Sequence, residues 1–416
     1  AILMTSIVKS VMPEQALSDI KVLDFTQHVA GPYCTKLMAG QGADVIKVER
    51  PDIGDVARRL GPYPKDIPHR ERSGLFLHLN TNKRSVTLDL TMDAGRNIAL
   101  QLAAEADVVV ESFRPGTMAA FGLEYGSLKA VNPNLVVTSI SNFGQTGPYR
   151  DFRGSDIIFY AMGGEMTGTG LADREPIKLG HNVILYQAGA TASVATMGAL
   201  FLAGDLDGGL GQHVDVSLME TQVGSIDRRM STLIAYQYTG ETSSRESLGG
   251  SSYPNGIFPC ENGYFAIAGG RVYFPRSVRM MGSPESLQDP KWYTAQAQSD
   301  PELKDEFEQI FYPWILSRSK EQAWAEAQGA RVLSAPLNTM EDLASEPFFN
   351  ARGVFDQVDN PEAGSMKQPG RPFNMSETPS PGSRPAPILG QHNQEVLTHL
   401  GYTNQEIACL REMGAI

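Results

Sequence analysis

Polar and basic residues follow the ends of several short apolar runs in the first third of this 416-residue chain. Gln27 and His28 come soon after KVLDF, Arg50 comes directly after DVIKVE, and Ser112 comes directly after DVVVE. Arginine, lysine and backbone N–H groups are the groups with which proteins bind phosphate. If the fold brings these residues together, they form a local basic pocket for a phosphorylated ligand.

The apolar runs themselves predict a parallel sheet. We expect strands at residues 21–25, 44–49, 85–90, 107–111 and 135–140, with helices following Gly31-Pro32 and at 94–104 and 127–131. The strand–helix–strand spacing is that of a βαβ unit, which requires parallel strands and a right-handed crossover. Ligands of such sheets bind outside the carboxyl ends of the strands. No G-x-G-x-x-G follows the first strand, so a dinucleotide site is disfavoured.

The segment 176–220 combines a polar approach, an apolar helix and a strand. KLGH at 178–181 precedes an apolar stretch at 186–202 that is rich in Ala, Gly and Thr. Small residues on this predicted helix let other backbones pack close against it. After the turn GDLDGGLGQ, the alternation in HVDVSLME predicts a strand with Val214, Val216 and Leu218 on one face.

The second half of the chain predicts a smaller domain and a return to the first. Composition changes near residue 224, and GIFPCENGYFAIAGG predicts a hairpin with Asn262-Gly263 at its turn. Helices are expected at 305–314 and 320–327, an irregular proline-rich stretch at 331–390, and a terminal helix pair at 394–413. We therefore expect a large Rossmann-like α/β domain at 1–224, a small α+β domain at 225–330, and a return to the large domain at 331–416.

Composition restricts the class of protein. The chain is 41% hydrophobic and 20% charged with a net charge of −12, which disfavours nucleic acid or an anionic membrane as a partner. Its three cysteines are far apart and form no metal motif, so a reducing cytoplasm is the default location. We see no apolar run of the roughly 18 residues that a membrane span needs.

Seven motifs together resemble one family. They are KVLDF…AGPYCTKLMAGQGADVIKVERPDIGDVAR, LNTNKRSVTLDL, VVVESFRPG, NFGQTGPYRD, GQHVDVSL, YPNGIFPCENGYFAIA and EVLTHLGYTNQEIACLREMGAI. The chain resembles the family III CoA-transferases, which include formyl-CoA and carnitine CoA-transferases and the α-methylacyl-CoA racemases. The resemblance implies a Rossmann-like large domain, a small domain and two subunits interlocked like chain links.

The same resemblance implies where CoA or an acyl-CoA would bind as substrate, with no metal and no permanently bound cofactor. Arg50 matches a CoA-contacting arginine or is a solvated surface residue. His28 contacts CoA or is a buried histidine, and Phe113 stacks on adenine or belongs to the core. The basic pair of NKRS contacts phosphate or caps a strand. The implied CoA-binding residues are Gln27, His28, Val29, Ala30, Arg50, Lys83, Arg84, Ser112 and Phe113.

The chain departs from the family at the nucleophile. The family motif K-x-G-x-P-x-x-D-x-x-A-G carries the nucleophilic Asp; Lys178, Gly180, Ala188 and Gly189 match, but Leu185 stands in the place of that Asp. In the family this carboxylate attacks the donor thioester and gives a mixed anhydride and a CoA thiolate. Leucine has no nucleophilic atom, so we expect no catalytic residue at this position.

Three further positions bear on activity. Ala120 stands where related chains carry a CoA-binding Arg, and alanine cannot pair with phosphate, so we expect weak or absent CoA binding. Ser155 stands at the racemase His, whose Asp partner is again position 185, so both racemase groups are missing. The Gly249-Gly250 pair resembles the family's mobile glycine loop or is an ordinary linker.

These features predict the non-catalytic subunit of a heteromeric CoA-transferase, paired with a paralogue that retains the Asp. The benzylsuccinate CoA-transferase of anaerobic toluene degradation, which takes CoA from succinyl-CoA, is a family member built from two related subunits, and the chain resembles its Asp-less subunit. One alternative is an active homodimer that uses another carboxylate, from Asp156, Glu165, Asp173 or Glu175. The other alternative is a non-enzymatic protein that binds acyl-CoA.

Overall fold

The structure, a computed structural model, describes residues 15–205, 210–224, 227–242, 245 and 252–416. The chain divides into a large unit of residues 1–166, 178–242 and 348–416 and a small unit of residues 167–177 and 243–347. These bounds differ from the expected small domain at 225–330. The reason for the later return is that the strand after residue 330 pairs within the small unit.

The large unit is built on a six-stranded sheet in which every strand pairing is parallel. The strand order is β3-β2-β1-β4-β5-β6, the Rossmann order with its reversal between β1 and β4. The predicted α/β fold with a parallel sheet is confirmed. The strands are β1 (Lys21–Phe25), β2 (Asp44–Glu49), β3 (Arg84–Thr87), β4 (Val108–Glu111), β5 (Val136–Ser141) and β6 (His213–Ser217).

Helices connect these strands and pack on the sheet. They are α1 (Ala30–Ala39), α2 (Gly74–Leu79), α3 (Asp93–Glu105), α4 (Thr117–Ala120), α5 (Tyr125–Val131), α6 (Asp156–Met162), α7 (Val183–Asp205), α8 (Leu218–Gly224) and α9 (Asp227–Thr239). Later in the large unit come α14 (Pro347–Ala351, whose first residue belongs to the small unit), the hairpin β10 (Phe355–Asn360) and β11 (Gly364–Pro369), α15 (Asn393–His399) and α16 (Asn404–Glu412).

Two strand ends differ from prediction. The third strand ends at Thr87, because Asp89 donates its N–H to the carbonyl of Ala415 and not to the sheet. The sixth strand ends at Ser217, and the residues predicted to continue it form α8. The Ser217 hydroxyl accepts the N–H of Glu220 at 3.2 Å, a capping contact that starts a helix.

The helix α7 packs its small residues against α1. A Cβ on Gly189 would lie 2.4 Å from the carbonyl oxygen of Ala30, so only glycine permits this approach of the two backbones. Ala188 and Ala192 are fully buried beside it. The predicted close packing of this helix is confirmed, and α7 is longer than the 186–202 expected from the sequence.

Helix α7 also corrects the expectation that no apolar run could span a membrane. Within the described part of the chain, its 22 residues Val183–Gly204 are long and apolar enough to do so. The helix packs on β5 as well as on α1, and Thr196 on it exchanges a 2.7 Å hydrogen bond with Thr138 of β5. The buried face of this helix therefore packs on the sheet and on α1.

The edge of the sheet at β3 is covered by a distant part of the chain. Ser85 donates its N–H to Nδ1 of His392 at 3.1 Å, and the N–H of His392 donates to the carbonyl of Ser85 at 2.9 Å. Thr87 donates its N–H to the side chain of Asn393 at 2.8 Å. An uncovered edge strand would offer free backbone groups to other chains.

The small unit contains the predicted hairpin and helical layer. The strands β7 (Asn255–Cys260) and β8 (Gly263–Ala268) pair antiparallel, with Glu261-Asn262 at the turn and Gly263 already in the strand. β9 (Leu333–Pro336) adds to β8. The helices are α10 (Phe274–Met280), α11 (Pro301–Leu316), α12 (Lys320–Gly329) and α13 (Met340–Ser345).

The stretch 331–390 is therefore more regular than predicted, since it contains β9, α13, α14, β10 and β11. The terminal helix pair is confirmed as α15 and α16. The Gly249-Gly250 pair lies outside the described residues.

Candidate functional site

A cavity of the large unit opens at the carboxyl ends of β1, β4 and β5 and has a volume of about 770 Å³. The loop after β1, the loop after β4, the segment 150–157 and the start of α7 line it. This position is the reversal point of the strand order, where open α/β sheets bind ligands. The cavity brings together six of the nine predicted CoA-binding residues: Gln27, His28, Val29, Ala30, Ser112 and Phe113.

The loop after β1 is held by hydrogen bonds to its neighbours. Gln27 donates its N–H to the hydroxyl of Ser112 at 2.9 Å, which joins the loops after β1 and β4. His28 has a left-handed backbone with φ of 70° and donates its N–H to the carboxylate of Asp55 at 3.0 Å. Burial, opposed by the charge of Asp55, lowers the pKa of His28. The imidazole is therefore neutral near pH 7.

Under this loop lies a buried network of ion pairs. Asp24 pairs with Lys83 at 3.1 Å, and Lys47 pairs with Asp55 at 2.8 Å, with all four side chains fully buried. Burial alone would raise the pKa of Asp24, but the ammonium groups of Lys47 and Lys83 and two threonine hydroxyls lower it to about 2. This network lies beneath residues 26–30 and supports them, since Lys47 also donates to the carbonyl of Thr26.

The basic pair of the NKRS motif therefore lies away from the cavity. The ammonium of Lys83 is bound by Asp24, by the carbonyl of Pro32 and by the side chain of Asn80. Arg84, the first residue of β3, pairs with Asp44 and Glu395. Because these partners occupy both side chains, the structure favours the structural interpretation of this pair over contact with phosphate.

The remaining predicted residues differ in their surroundings. Arg50 is exposed after β2, outside the lining of the cavity, and its charge helps to lower the pKa of Asp89. Phe113 lines the cavity and also packs edge-on against Phe121 with ring centroids 6.0 Å apart. Ala120 is exposed at the end of α4.

A buried carboxylate lies directly behind Phe113. Glu111 at the end of β4 accepts the N–H of Phe113 at 2.7 Å and is 4% exposed. Burial raises the pKa of Glu111 to about 7, and the negative charge of Asp215 contributes to this rise. Hydrogen bonds from Ser139 and from the N–H of Phe113 act in the opposite direction. Sequence reasoning counted this residue only as the end of a strand.

Leu185 lies on the wall of the cavity in the first turn of α7. It is 7% exposed and belongs to an apolar cluster with Val29, Phe159 and Leu218. The preceding loop is shaped by Lys178, whose ammonium donates to the carbonyls of Leu179 and His181 at 2.7 and 2.8 Å and to Asp156 at 2.9 Å. The position that the family motif assigns to the nucleophile therefore faces the cavity with an aliphatic side chain.

One of the four alternative carboxylates lines this cavity. Asp156 opens α6 and pairs with Lys178 through Oδ2, while its Oδ1 is buried and has no hydrogen-bond partner. Glu165 lies outside the lining, and Asp173 and Glu175 belong to the small unit.

Three arginines outside the predicted set of CoA-binding residues line the cavity: Arg114, Arg150 and Arg153. Within the described residues, only Arg150 of these forms an ion pair, at 3.9 Å with Asp151. The signal for the last two was present in the run YRDFR after the fifth strand, where basic and aromatic residues alternate. Free guanidinium groups in a cavity suit phosphate or carboxylate.

The fold and the cavity define an α/β protein with an arginine-lined cavity at the switch point of a parallel sheet. Among the residues that the structure describes, no group of three or more His, Cys, Asp or Glu is placed to hold a metal ion. A sequence model of CoA-transferase family III matches residues 17–393, and the chain belongs to this family.

Characterised relatives cover nearly the whole chain. The succinyl-CoA–D-citramalate CoA-transferase of Chloroflexus aurantiacus is 34% identical over 96% of this chain and 98% of its own length. Succinyl-CoA:(R)-benzylsuccinate CoA-transferase subunit BbsE of Thauera aromatica is 33% identical over 97% of this chain and 98% of its own length. The crystal structure of a CAIB/BAIF family protein from Brucella suis has a TM-score of 0.81 at 30% identity and covers 94% of this chain and 99% of that one.

Proposed function

We propose that this chain is the nucleophile-free subunit of a heteromeric CoA-transferase that moves CoA from succinyl-CoA to benzylsuccinate. The observation that carries the proposal is the aliphatic side chain of Leu185 on the wall of the cavity. A mixed anhydride needs a carboxylate at that place, and none is there. The paralogous partner would supply the Asp.

The names of the relatives support the donor and the acceptor. Both relatives are named for succinyl-CoA, which supports succinyl-CoA as the donor. The second relative is named as a subunit, which supports an assembly of two different subunits. Benzylsuccinate comes from the second relative alone. We further propose that the two subunits interlock, as the family resemblance implies.

The cavity arginines suit the anionic groups of a CoA thioester. Arg114 and Arg153 are exposed, line the cavity and form no ion pair within the described residues. Each would add a charge-assisted hydrogen bond of about 1.5–3 kcal/mol to a bound phosphate. They could offset the arginine that Ala120 replaces, so we propose that this subunit still holds CoA weakly while lacking the nucleophile.

The test compares the chain alone with the assembly. The purified chain should transfer no CoA from succinyl-CoA to any acid, and the assembly with an Asp-bearing paralogue should do so at a normal turnover. Transfer by the chain alone at roughly 1 s⁻¹ or faster would refute the proposal. Mutation of the Asp in the partner should abolish activity of the assembly.

A second candidate function is an active homodimer in which Asp156 is the nucleophile. It is favoured by one observation, the unpartnered Oδ1 of Asp156 at the lining of the same cavity. Hydroxylamine trapping of an acyl intermediate during turnover separates the two candidates, because it would modify Asp156 here and a partner residue in the first proposal. Asp156→Asn removes the trapped site only in the second case.

A further inference from the structure

A second, smaller cavity of the large unit lies on the other side of the first turn of α7. Leu185 lines the cavity described above, whereas the next residue, Tyr186, lines this one together with α1, the end of α2 and the stretch after β11. Its volume is about 150 Å³. It is much smaller than the cavity beside Leu185 and suits a ligand of a few heavy atoms.

A buried ammonium group without a counter-ion lies in this cavity. Lys36 is 8% exposed, donates to the carbonyl of His78 at 2.5 Å and lies 3.3 Å from Nδ1 of the same residue. Both of these partner atoms belong to His78, and no carboxylate of the described residues forms an ion pair with Lys36. Buried charges are normally paired. Burial and the charge of Lys83 lower the pKa of Lys36 to about 8, against the attraction of Asp356.

Two further donors of the lining are unsatisfied. The hydroxyl of Thr81, a residue 1% exposed, is buried without a hydrogen-bond partner. The Nε of Arg371 is buried and unpartnered, while one of its Nη atoms donates to the carbonyl of Thr378 at 2.9 Å and the other lies 3.5 Å from Oε1 of Gln15. A buried donor without a partner is unfavourable, and an acceptor bound beside it removes that cost.

The charge of the lining is positive. Lys36 and Arg371 line the cavity, and no Asp or Glu does among the described residues. The side chain of Asp356 is bound by the hydroxyl of Ser383 at 2.6 Å, and it acts on Lys36 from outside the lining. His78 is neutral, since burial and then the charge of Lys36 lower its pKa to about 3.

We propose that this cavity is a binding site for a small oxyanion, held by the ammonium of Lys36, the hydroxyl of Thr81 and the Nε–H of Arg371. The three groups are all donors, and a carboxylate or phosphate oxygen satisfies all of them while it neutralises the unpaired charge. The ligand is either a short carboxylate, such as a free acid of the transfer reaction, or inorganic phosphate. Because Tyr186 adjoins Leu185, the bound anion contacts the same helical turn as the larger cavity.

The test is calorimetric titration of the full chain, in the assembly in which it purifies, with succinate, with phosphate, and with sodium chloride at matched ionic strength. We expect saturable binding of succinate or phosphate and none of chloride, and the anion that binds identifies the source. Lys36→Met should weaken binding at least about tenfold and Thr81→Val about fivefold. The exposed Lys129→Met serves as the control and should leave binding unchanged.

Thermal unfolding provides a second readout that does not depend on activity. In buffer without oxyanions, Lys36→Met should melt at or above the temperature of the parent, since it removes an unpaired buried charge. The oxyanion-dependent rise in Tm should be lost in this variant. The proposal is overturned if neither anion binds more than chloride, or if binding persists undiminished in Lys36→Met and Thr81→Val, which would place it at another site.

Discussion

Leu185 occupies a position whose surroundings have become apolar along with it. The side chain packs with Val29, Phe159 and Leu218, and the nearby Lys178 already serves three acceptors. The change at the nucleophile is therefore more than the loss of one functional group.

We predict that Leu185→Asp will not create a second active site in the assembly. The new carboxylate would be desolvated, which raises its pKa and lowers the free energy of unfolding by about 3–5 kcal/mol at pH 8. Because the folded-state pKa would lie above the unfolded value, the loss should be smaller at pH 5, where the group is protonated. Urea unfolding at the two pH values measures this.

The matched control for that variant is Leu185→Asn, which cannot ionise and should be destabilised equally at both pH values. Doubled turnover per assembly in Leu185→Asp would contradict the prediction and show that only the nucleophile had been lost.

Glu111 should give the protein a stability that falls as pH rises. Its folded-state pKa of about 7 lies above its ordinary value of 4.5, so its contribution is complete below pH 4.5 and is lost as pH rises through 7. The shift corresponds to about 3 kcal/mol at 1.36 kcal/mol per pKa unit. Glu111→Gln removes the titration and keeps an acceptor for the N–H of Phe113.

The measurement is the difference in Tm between Glu111→Gln and the parent from pH 5 to pH 8. We expect the Tm of Glu111→Gln to rise relative to the Tm of the parent as pH increases, because only the parent loses stability when Glu111 ionises. If the two Tm profiles run parallel across this range, Glu111 does not titrate there. The nearby His213 is present in both proteins and affects both profiles equally.

Sequence reasoning located the site better than it assigned single charges. The motif from Lys178 to Gly189 points to Leu185, and this residue lines the cavity. Sequence reasoning could not show that Lys83 is buried against Asp24, since that pair joins residues 59 positions apart. A basic residue near a strand end looks the same in sequence whether it faces a ligand or the core.

At the scale of elements, the contact of α1 with α7 sets the wall of the larger cavity. Ala30 begins one helix and Gly189 lies in the second turn of the other, and their backbones touch beside the cavity that Ala30 lines. A backbone carbonyl cannot move away as a flexible side chain can. Any added atom at this contact must shift a whole helix.

Gly189→Ala should therefore lower the free energy of unfolding by about 1–3 kcal/mol, the usual effect of overpacking. Gly198→Ala on the same helix is the matched control, because a Cβ there meets nothing within 4 Å. The free energy of unfolding of this control variant should rise by up to about 1 kcal/mol, because alanine favours the helix more than glycine does. Equal effects of the two substitutions on chemical unfolding would contradict the role of this contact.

The elements that sequence reasoning missed have weak patterns. The hairpin of β10 and β11 contains few apolar residues and ends in proline, so its alternation is faint. The strand predicted in HVDVSLME ends early because the hydroxyl of Ser217 accepts the N–H of Glu220 and starts a helix. The buried strands of the parallel sheet were predicted well, since their continuous apolar runs are distinctive.

At the scale of the molecule, α7 and α9 expose large apolar side chains. Val194 and Phe201 on α7 are 75% and 77% exposed, and Tyr238 on α9 is 85% exposed. Exposed apolar residues at several neighbouring turns of a helix mark a surface that pairs with another chain. The assembly proposed above is one in which they would be covered.

We predict that the chain made alone will self-associate and that its paired form will protect α7 and α9 from hydrogen exchange. Phe201→Ser should weaken pairing with the partner, and Leu316→Ser, an exposed apolar change in the small unit, is the control. Sedimentation velocity gives the assembly state. A monodisperse monomer with unprotected helices in the presence of the partner would refute the prediction.

The covering of β3 has a consequence for how the chain is made on the ribosome. Ser85 and its partner His392 are 307 positions apart, so translation at about 5–20 residues per second separates their emergence by roughly 15 to 60 s. For all of that time the nascent sheet has an open edge. Synthesis of this protein should therefore depend on chaperones that bind nascent chains, and ribosome pauses within the last third of the message should increase aggregation more than pauses in the first.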